Sequence, residues 1–224
     1  LGEACAARVG CRVVGRGPAR GDRGGPAWGR VAHAHRTSRL DEDRLRHALN
    51  FHLEEGVCVL RLETCRDDFH ARYDARGKRY AYCVATGRFR PPFGRGYVHW
   101  VCDPLDLGAM RRAGALLLGR HDFSAFASAG SPRKSPVRTL AHLHIRARRR
   151  GLAIVVQGDG FLYNMVRAIA GTLIKVGRGK LAPEDVGAIL ASRDRRTAGP
   201  TAPAEGLWLL SVLYGEQLFR GPDR

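Results

Sequence analysis

At 224 residues, 44% of them hydrophobic and 26% charged, the chain can bury one core or two small ones and has the composition of an ordinary soluble globular protein. No apolar run reaches the ~18 residues of a membrane span, and no signal peptide is visible. The 38 Lys and Arg against 21 Asp and Glu leave a formal charge of +17, which favours a polyanionic partner, although a solubilising surface would carry the same excess.

In chain order, residues 1–14 read as the end of a helix running into a short strand, CRVV. Fourteen of the sixteen residues from 15 to 30 are Gly, Arg, Pro or Ala, and the six Gly and two Pro among them predict a loop. Strand-like alternation resumes at VAHAH (31–35), and DEDRLRHALNFHL (41–53) reads as a helix with Ser38 as its cap and acids in its first turn. Strands are expected at VCVLRLE (57–63) and KRYAYCVAT (78–86), separated by a polar, irregular stretch. RFRPPFGRG (88–96) suits a linker between halves.

The second half opens with a short strand, VHWVCD (98–103), and an amphipathic helix over 106–119 with Gly119 as its stop. Residues 121–139 read as a long loop of small and basic residues. A hairpin around RRRG follows, then the apolar helix FLYNMVRAIAGTLIKVG (161–177), with Phe161, Met165, Ile169, Leu173 and Val176 on one face. A second helix, APEDVGAILAS (182–192), carries Pro183 in its first turn, and GLWLLSVLYG closes the chain as a buried strand. Strands and helices mix without a regular βαβ rhythm, so the fold class is α+β.

Several residues could carry chemistry. Gly15, Gly17 and Gly21 loosely imitate a dinucleotide fingerprint, but Pro18, Gly24, Gly25 and Pro26 forbid the helix that must follow it, and that reading fails. Arg167 interrupts the apolar helix and needs an anion or solvent; structural pairing and site duty fit equally. Lys78, Tyr80 and Tyr82 share one strand face, either as core aromatics or as a base-stacking platform beside a cation. RFRPPFGR and SPRKSPVR are either phosphate-tracking surfaces or ordinary solvated loops. The six cysteines show no C-x-x-C pair, as in a reduced intracellular protein, and the H-x-H pairs at His33/His35 and His142/His144 lack neighbouring ligands.

Taken together, DDFHARYDARGKRYAYCV, LLLGRHDFSAF, SPVRTL, FLYNMVRAIAGTLIKVG and TAPAEGLWLLSVLY, in this order and spacing, resemble the TruA-type tRNA pseudouridine synthases. The resemblance runs from about residue 1 to about residue 216. It implies a pseudouridine synthase fold: two ferredoxin-like halves with antiparallel sheets flanking a basic central cleft. The N-terminal half would be residues 1–90 and the C-terminal half residues 91–224. It further implies isomerisation of uridine to pseudouridine in the tRNA anticodon stem-loop, at about positions 38 to 40, by a cytoplasmic homodimer that needs no cofactor or metal and no membrane.

The family's nucleophile loop, R-T-D-A-G-V-H-A, falls on residues 20–27, where Arg20, Asp22, Gly24 and Ala27 match. By resemblance Asp22 is the nucleophile, and Tyr80 stacks on the flipped base. Arg167 would pair with the nucleophile and hold its pKa down, while Arg20 would contact the RNA backbone. Gly21, Arg23, Gly25 and Pro26 depart from the motif, and the stretch between VVG and VAH is about two residues longer than usual. Two further readings follow: a frame-shifted segment over about residues 16–26, and a catalytically inactive tRNA-binding remnant. The chain opens on Leu and lacks the family's opening strand and helix, so it is expected to be a fragment or processed product with an incomplete N-terminal half.

Overall fold

The computed structural model describes residues 7–16, 26–36, 40–130 and 135–215, with the backbone alone for residues 7–16 and 26. In these residues nine strands and four helices form one mixed sheet with helices packed on it, an α+β architecture. The strands are β1 (Ala7–Arg16), β2 (Pro26–Arg36), β3 (Val57–Cys65), β4 (Ala75–Thr86), β5 (His99–Val101), β6 (Gly119–Asp122), β7 (Val137–Arg148), β8 (Gly151–Gly158) and β9 (Leu207–Tyr214). The helices are α1 (Glu42–His52), α2 (Leu107–Ala115), α3 (Met165–Gly177) and α4 (Asp185–Ser192). The sheet order is β3-β1-β2-β9-β4-β8-β7-β6, with β5 pairing β4 off this path.

The placement of β9 organises the sheet. It lies antiparallel to β4 and parallel to β2, so the last strand sits between two strands from the first half of the chain. Gly29 makes the β2 side of this contact possible, since a Cβ there would sit 2.7 Å from the Ser211 Cα. The β7–β8 hairpin forms where RRRG predicts it, with Gly151 at φ +149°.

Several boundaries differ from the sequence expectation. Residues 7–10 are strand rather than helix, because they pair with β2 on one side and β3 on the other. Residues 26–30 belong to β2 rather than to a loop. The cap of α1 is Asp41, whose carboxylate accepts the Arg44 N–H at 2.8 Å; Ser38 lies outside the described residues. Helix α2 ends at Ala115, and Gly119, at φ +97°, opens β6 instead of stopping the helix. Within the expected loop 121–139, Phe123 and Phe126 are fully buried around a 3-10 turn at Ser124–Phe126. Tertiary packing recruits these aromatics where local periodicity is too short to register. Strand β9 is half-buried along most of its length rather than buried.

The main core lies between the sheet and α2, α3 and α4, around Tyr82, Met110, Phe126, Ile154, Met165 and Ile169. Helix α3 begins at Met165, four residues later than expected, and every residue in it except Arg167 and Lys175 is buried. A helix apolar on all sides must be covered on all sides. One cover is the segment 199–203, laid directly on the α3 backbone. The Gly199 N–H donates to Thr172 Oγ1 at 2.9 Å, Thr172 Oγ1 donates to the Ala168 carbonyl at 2.8 Å, and the Ala202 N–H donates to the Arg167 carbonyl at 3.1 Å. A Cβ on Gly199 would come 2.6 Å from the Thr172 Cα, and one on Gly171 would overlap the Pro200 carbonyl.

Gly171→Ala is expected to lower stability even though Ala favours helix by about 1 kcal/mol. The clash is with backbone, and overpacking of this kind costs roughly 1–3 kcal/mol. A lower urea midpoint than the parent checks this; an unchanged or higher midpoint would show that the segment yields freely.

Candidate active site

Strand β4 carries Lys78, Tyr80 and Tyr82 on one face by its two-residue alternation. Tyr82 is fully buried and donates its hydroxyl to the Pro203 carbonyl at 2.8 Å. Its phenol is pushed well above the usual range by burial, with the Arg167 charge pulling the other way and Glu205 adding to the rise. Tyr82 is therefore a core residue that anchors the 199–203 segment. Tyr80, one pair nearer the strand's start, is half-buried and meets the Phe161 ring edge to face, with centroids 5.2 Å apart. Phe161 reaches it by lying against Gly158, where an added Cβ would stand 3.5 Å from the ring's far edge and 2.7 Å from the Thr139 carbonyl.

Arg167 stands in the first turn of α3 and is half-buried. Its Nε donates to the Ala202 carbonyl at 2.7 Å and one Nη to the Asn164 amide oxygen at 3.1 Å. The sequence predicts an anion opposite this guanidinium; these two donors are held by neutral oxygens, which fix its plane while leaving its charge uncancelled by them. Asn164 was not legible as a site residue. It precedes α3 in the left-handed region, at φ 59°, and its side chain makes no capping bond. The amide bridges Arg167 and the Ser128 hydroxyl at 3.1 Å, and the Ser128 N–H donates to the Tyr163 carbonyl at 3.0 Å. In the sequence it falls inside the expected helix 161–177, where nothing marks it.

Near Lys78 a cleft of about 520 Å³ opens between the start of β4, the start of β7 and the end of β8. It is lined by Arg72, Tyr73, Lys78, Ser135, Arg138 and Asp159, together with Ala75, Gly77 and Gly160. Three cations face one carboxylate, and Asp159 Oδ1 already accepts the Thr139 N–H at 3.0 Å. The volume suits a nucleoside-sized group. Arg72 and Tyr73 are held at the mouth by the FHARYD segment. There Phe69 is buried between the His33 and Tyr214 rings, Tyr214 donates its hydroxyl to the Ala71 carbonyl at 2.6 Å, and His33 Nδ1 accepts the Ala71 N–H at 3.2 Å. Asp74 closes the segment by accepting the His70 N–H and an Arg66 Nη, and these bonds hold its carboxyl below the usual range.

Tyr80 and Arg167 thus lie on the helix-bearing side of the sheet. Arg20 and Asp22, like the suggested frame-shifted stretch apart from its two strand ends, lie outside the described residues. The strand ends that residues 17–25 join are described: Arg16 and Pro26 are antiparallel partners. Ala27, the last position of the loop motif, pairs with Leu209, and Tyr80 pairs with the same Leu209 from the other side. Ala27 and Tyr80 are therefore about two strand spacings apart, roughly 10 Å.

Residues 113–215 match the family described as tRNA pseudouridine synthase, a stretch that holds Arg138, Asn164 and Arg167. The chain is 42% identical over 198 residues to a tRNA pseudouridine synthase A of Acetivibrio thermocellus, covering 88% of this chain and 81% of that protein. It is 41% identical over 210 residues to the protein of the same name from Shouchella clausii, covering 94% and 80%. The chain belongs to the tRNA pseudouridine synthase A family. A Geobacillus kaustophilus relative of that name is 41% identical over 206 residues, 92% of this chain and 79% of its own length. Among the described residues of this synthase-family chain, no helix is long and apolar enough to cross a membrane.

Asn164 invites a direct test. Asn164→Ala should cost about 2–3 kcal/mol, combining the two lost hydrogen bonds with the loss of the short polar side chain that lets asparagine tolerate the left-handed region better than alanine does. Asn164→Gly keeps the backbone comfortable and should cost about 1 kcal/mol less. Urea unfolding of both variants reads the difference; equal losses would mean that the positive φ is not maintained.

Proposed function

We propose that this chain isomerises uridine to pseudouridine in tRNA, at about positions 38 to 40 of the anticodon stem-loop, with Asp22 as nucleophile, Tyr80 and Arg167 beside it, and Arg20 on the RNA backbone. The observation that carries the reading is the shared pairing partner: Leu209 pairs with Ala27, at the end of the nucleophile loop, and with Tyr80. This register leaves the loop a reach of about 10 Å to the tyrosine face.

The chemistry accounts for the residue types. The target base must leave its stack, which costs a few kcal/mol and least in a loop. Tyr80, braced by Phe161, offers a ring for it to rest on. The Asp22 carboxylate attacks the ribose or the base, the N1–C1′ bond breaks, the uracil turns, and a C5–C1′ bond forms. The proton lost from C5 is balanced by one gained at N1, so the reaction consumes no co-reactant, redox partner or group donor. An ionised Asp22 in a partly desolvated cleft needs a nearby cation, and Arg167 is oriented for that duty by Ala202 and Asn164.

The same proposal includes the larger arrangement: two ferredoxin-like halves, 1–90 and 91–224, with the RNA in a basic cleft between them, in a cytoplasmic homodimer. The lining of the 520 Å³ cleft supports it, because Arg72 and Lys78 come from one side of residue 90 and Arg138 from the other. With +17 overall, the protein draws in a polyanion before any specific contact forms.

The test uses an unmodified tRNA transcript tritiated at C5 of uridine, incubated with this chain and with Asp22→Ala. Tritium released to water by the parent and not by the variant is the expected result. Binding by both with release by neither would identify residues 20–27 as a broken motif and the chain as a tRNA-binding remnant.

A further inference from the structure

The segment 87–97, GRFRPPFGRGY, follows β4 and does not contribute to the site above. Phe89 and Phe93 are 79% and 86% exposed, and Arg88, Arg90 and Arg95 are exposed beside them. Two phenylalanines held almost wholly in water within five residues call for a partner more than single exposed apolar residues do. The segment is also shaped. The Trp100 indole donates to the Gly87 carbonyl at 3.0 Å, and the Trp208 indole donates to the Tyr97 carbonyl at 2.8 Å, so both ends are pinned. A turn closes Gly94 to Tyr97 at 3.0 Å, with Gly94 and Gly96 at φ +80° and +78°. Pro91 and Pro92 stiffen the middle. The Phe rings are therefore presented by a loop that loses little entropy when it is covered.

We propose that this loop binds single-stranded nucleotides of the tRNA, with Phe89 and Phe93 stacking on unpaired bases and Arg88 and Arg95 on the phosphates between them. The inference rests on the tRNA reading above and extends it to a second contact. Charge selects the partner. Residues 87–97 contain three Arg and no acid, so the same loop on a second copy would be repelled, whereas a polyanion is attracted. Every base offers a π face, and Arg88 already lies 5.4 Å over the Phe89 ring, a stack that a base can extend. The loop begins seven residues along β4 from Tyr80, about 23 Å at ~3.3 Å per residue. Only an extended polymer can occupy both places.

The experiment measures affinity for an unmodified tRNA transcript by fluorescence anisotropy across a salt series, with size-exclusion light scattering and tritium release on the same preparations. Phe89→Ala/Phe93→Ala should raise Kd about fivefold or more while leaving the salt slope unchanged. Phe89→Leu/Phe93→Leu should bind as weakly, because it keeps apolar bulk and loses the aromatic face. Arg88→Gln/Arg95→Gln should make the slope of log Kd against log salt shallower by about 1.4, two single-strand phosphate contacts' worth. Parent-like affinity in the Phe→Ala variant, or full affinity in the Leu variant, overturns the stacking proposal. So does a change of oligomeric state with tRNA affinity intact, which would make the loop a protein contact. Tritium release separates the two readings: active parent with loop-independent affinity sinks this proposal alone, and inactive parent with loop-dependent affinity sinks only the isomerase.

Discussion

Two stretches of backbone touch in this protein where side chains would keep them apart. Gly171 in α3 and Gly199 in the segment that crosses it leave room for carbonyl and amide groups to meet directly, and Thr172 bonds to both sides of the contact. Through that contact the chain beyond α4 is fixed onto the most buried helix. Ala202 and Pro203 are then placed to hold Arg167 and Tyr82, and Leu207 follows at once to start β9. Arg167 is thus oriented by a main-chain carbonyl of this segment together with the Asn164 amide.

The same segment decides the sheet. Because β9 leaves the α3 contact and enters between β2 and β4, residues near the two ends of the described chain become neighbours, and the loop motif and the tyrosine face share a pairing partner. Long-range pairing of this kind carries a high loop-closure cost, which the buried contacts of α3 must offset. The cleft beside Lys78 combines strand positions at the starts of β4 and β7 with the loop residues Arg72, Tyr73, Ser135, Asp159 and Gly160. Charges set on strands beside an open, loop-lined edge suit a site that must admit a large RNA.

How much of this was legible follows from the range of each interaction. The hairpin at RRRG and the helices were readable because their signals are local. The start of α3 was misplaced by four residues, because Asn164 adopts a left-handed conformation that nothing in the apolar pattern announces. Residues 7–10 look helical in isolation and become strand because both neighbours pair with them. The burial of Phe123 and Phe126 and the insertion of β9 depend on contacts far apart in sequence, which periodicity cannot report. Tyr80 and Arg167 came from motif resemblance, whereas the partners that aim Arg167, Asn164 and the Ala202 carbonyl, required coordinates.

The central claim is that this scaffold holds Arg167 for chemistry rather than for RNA affinity. Arg167→Lys keeps the charge but cannot reproduce the fork that reaches Ala202 and Asn164. The decisive measurement compares its single-turnover rate on a tRNA transcript with its Kd for the same RNA. The account predicts a rate loss on the order of a hundredfold or more with Kd changed by no more than about threefold. Equal losses in rate and affinity would contradict it and make Arg167 an RNA-binding residue.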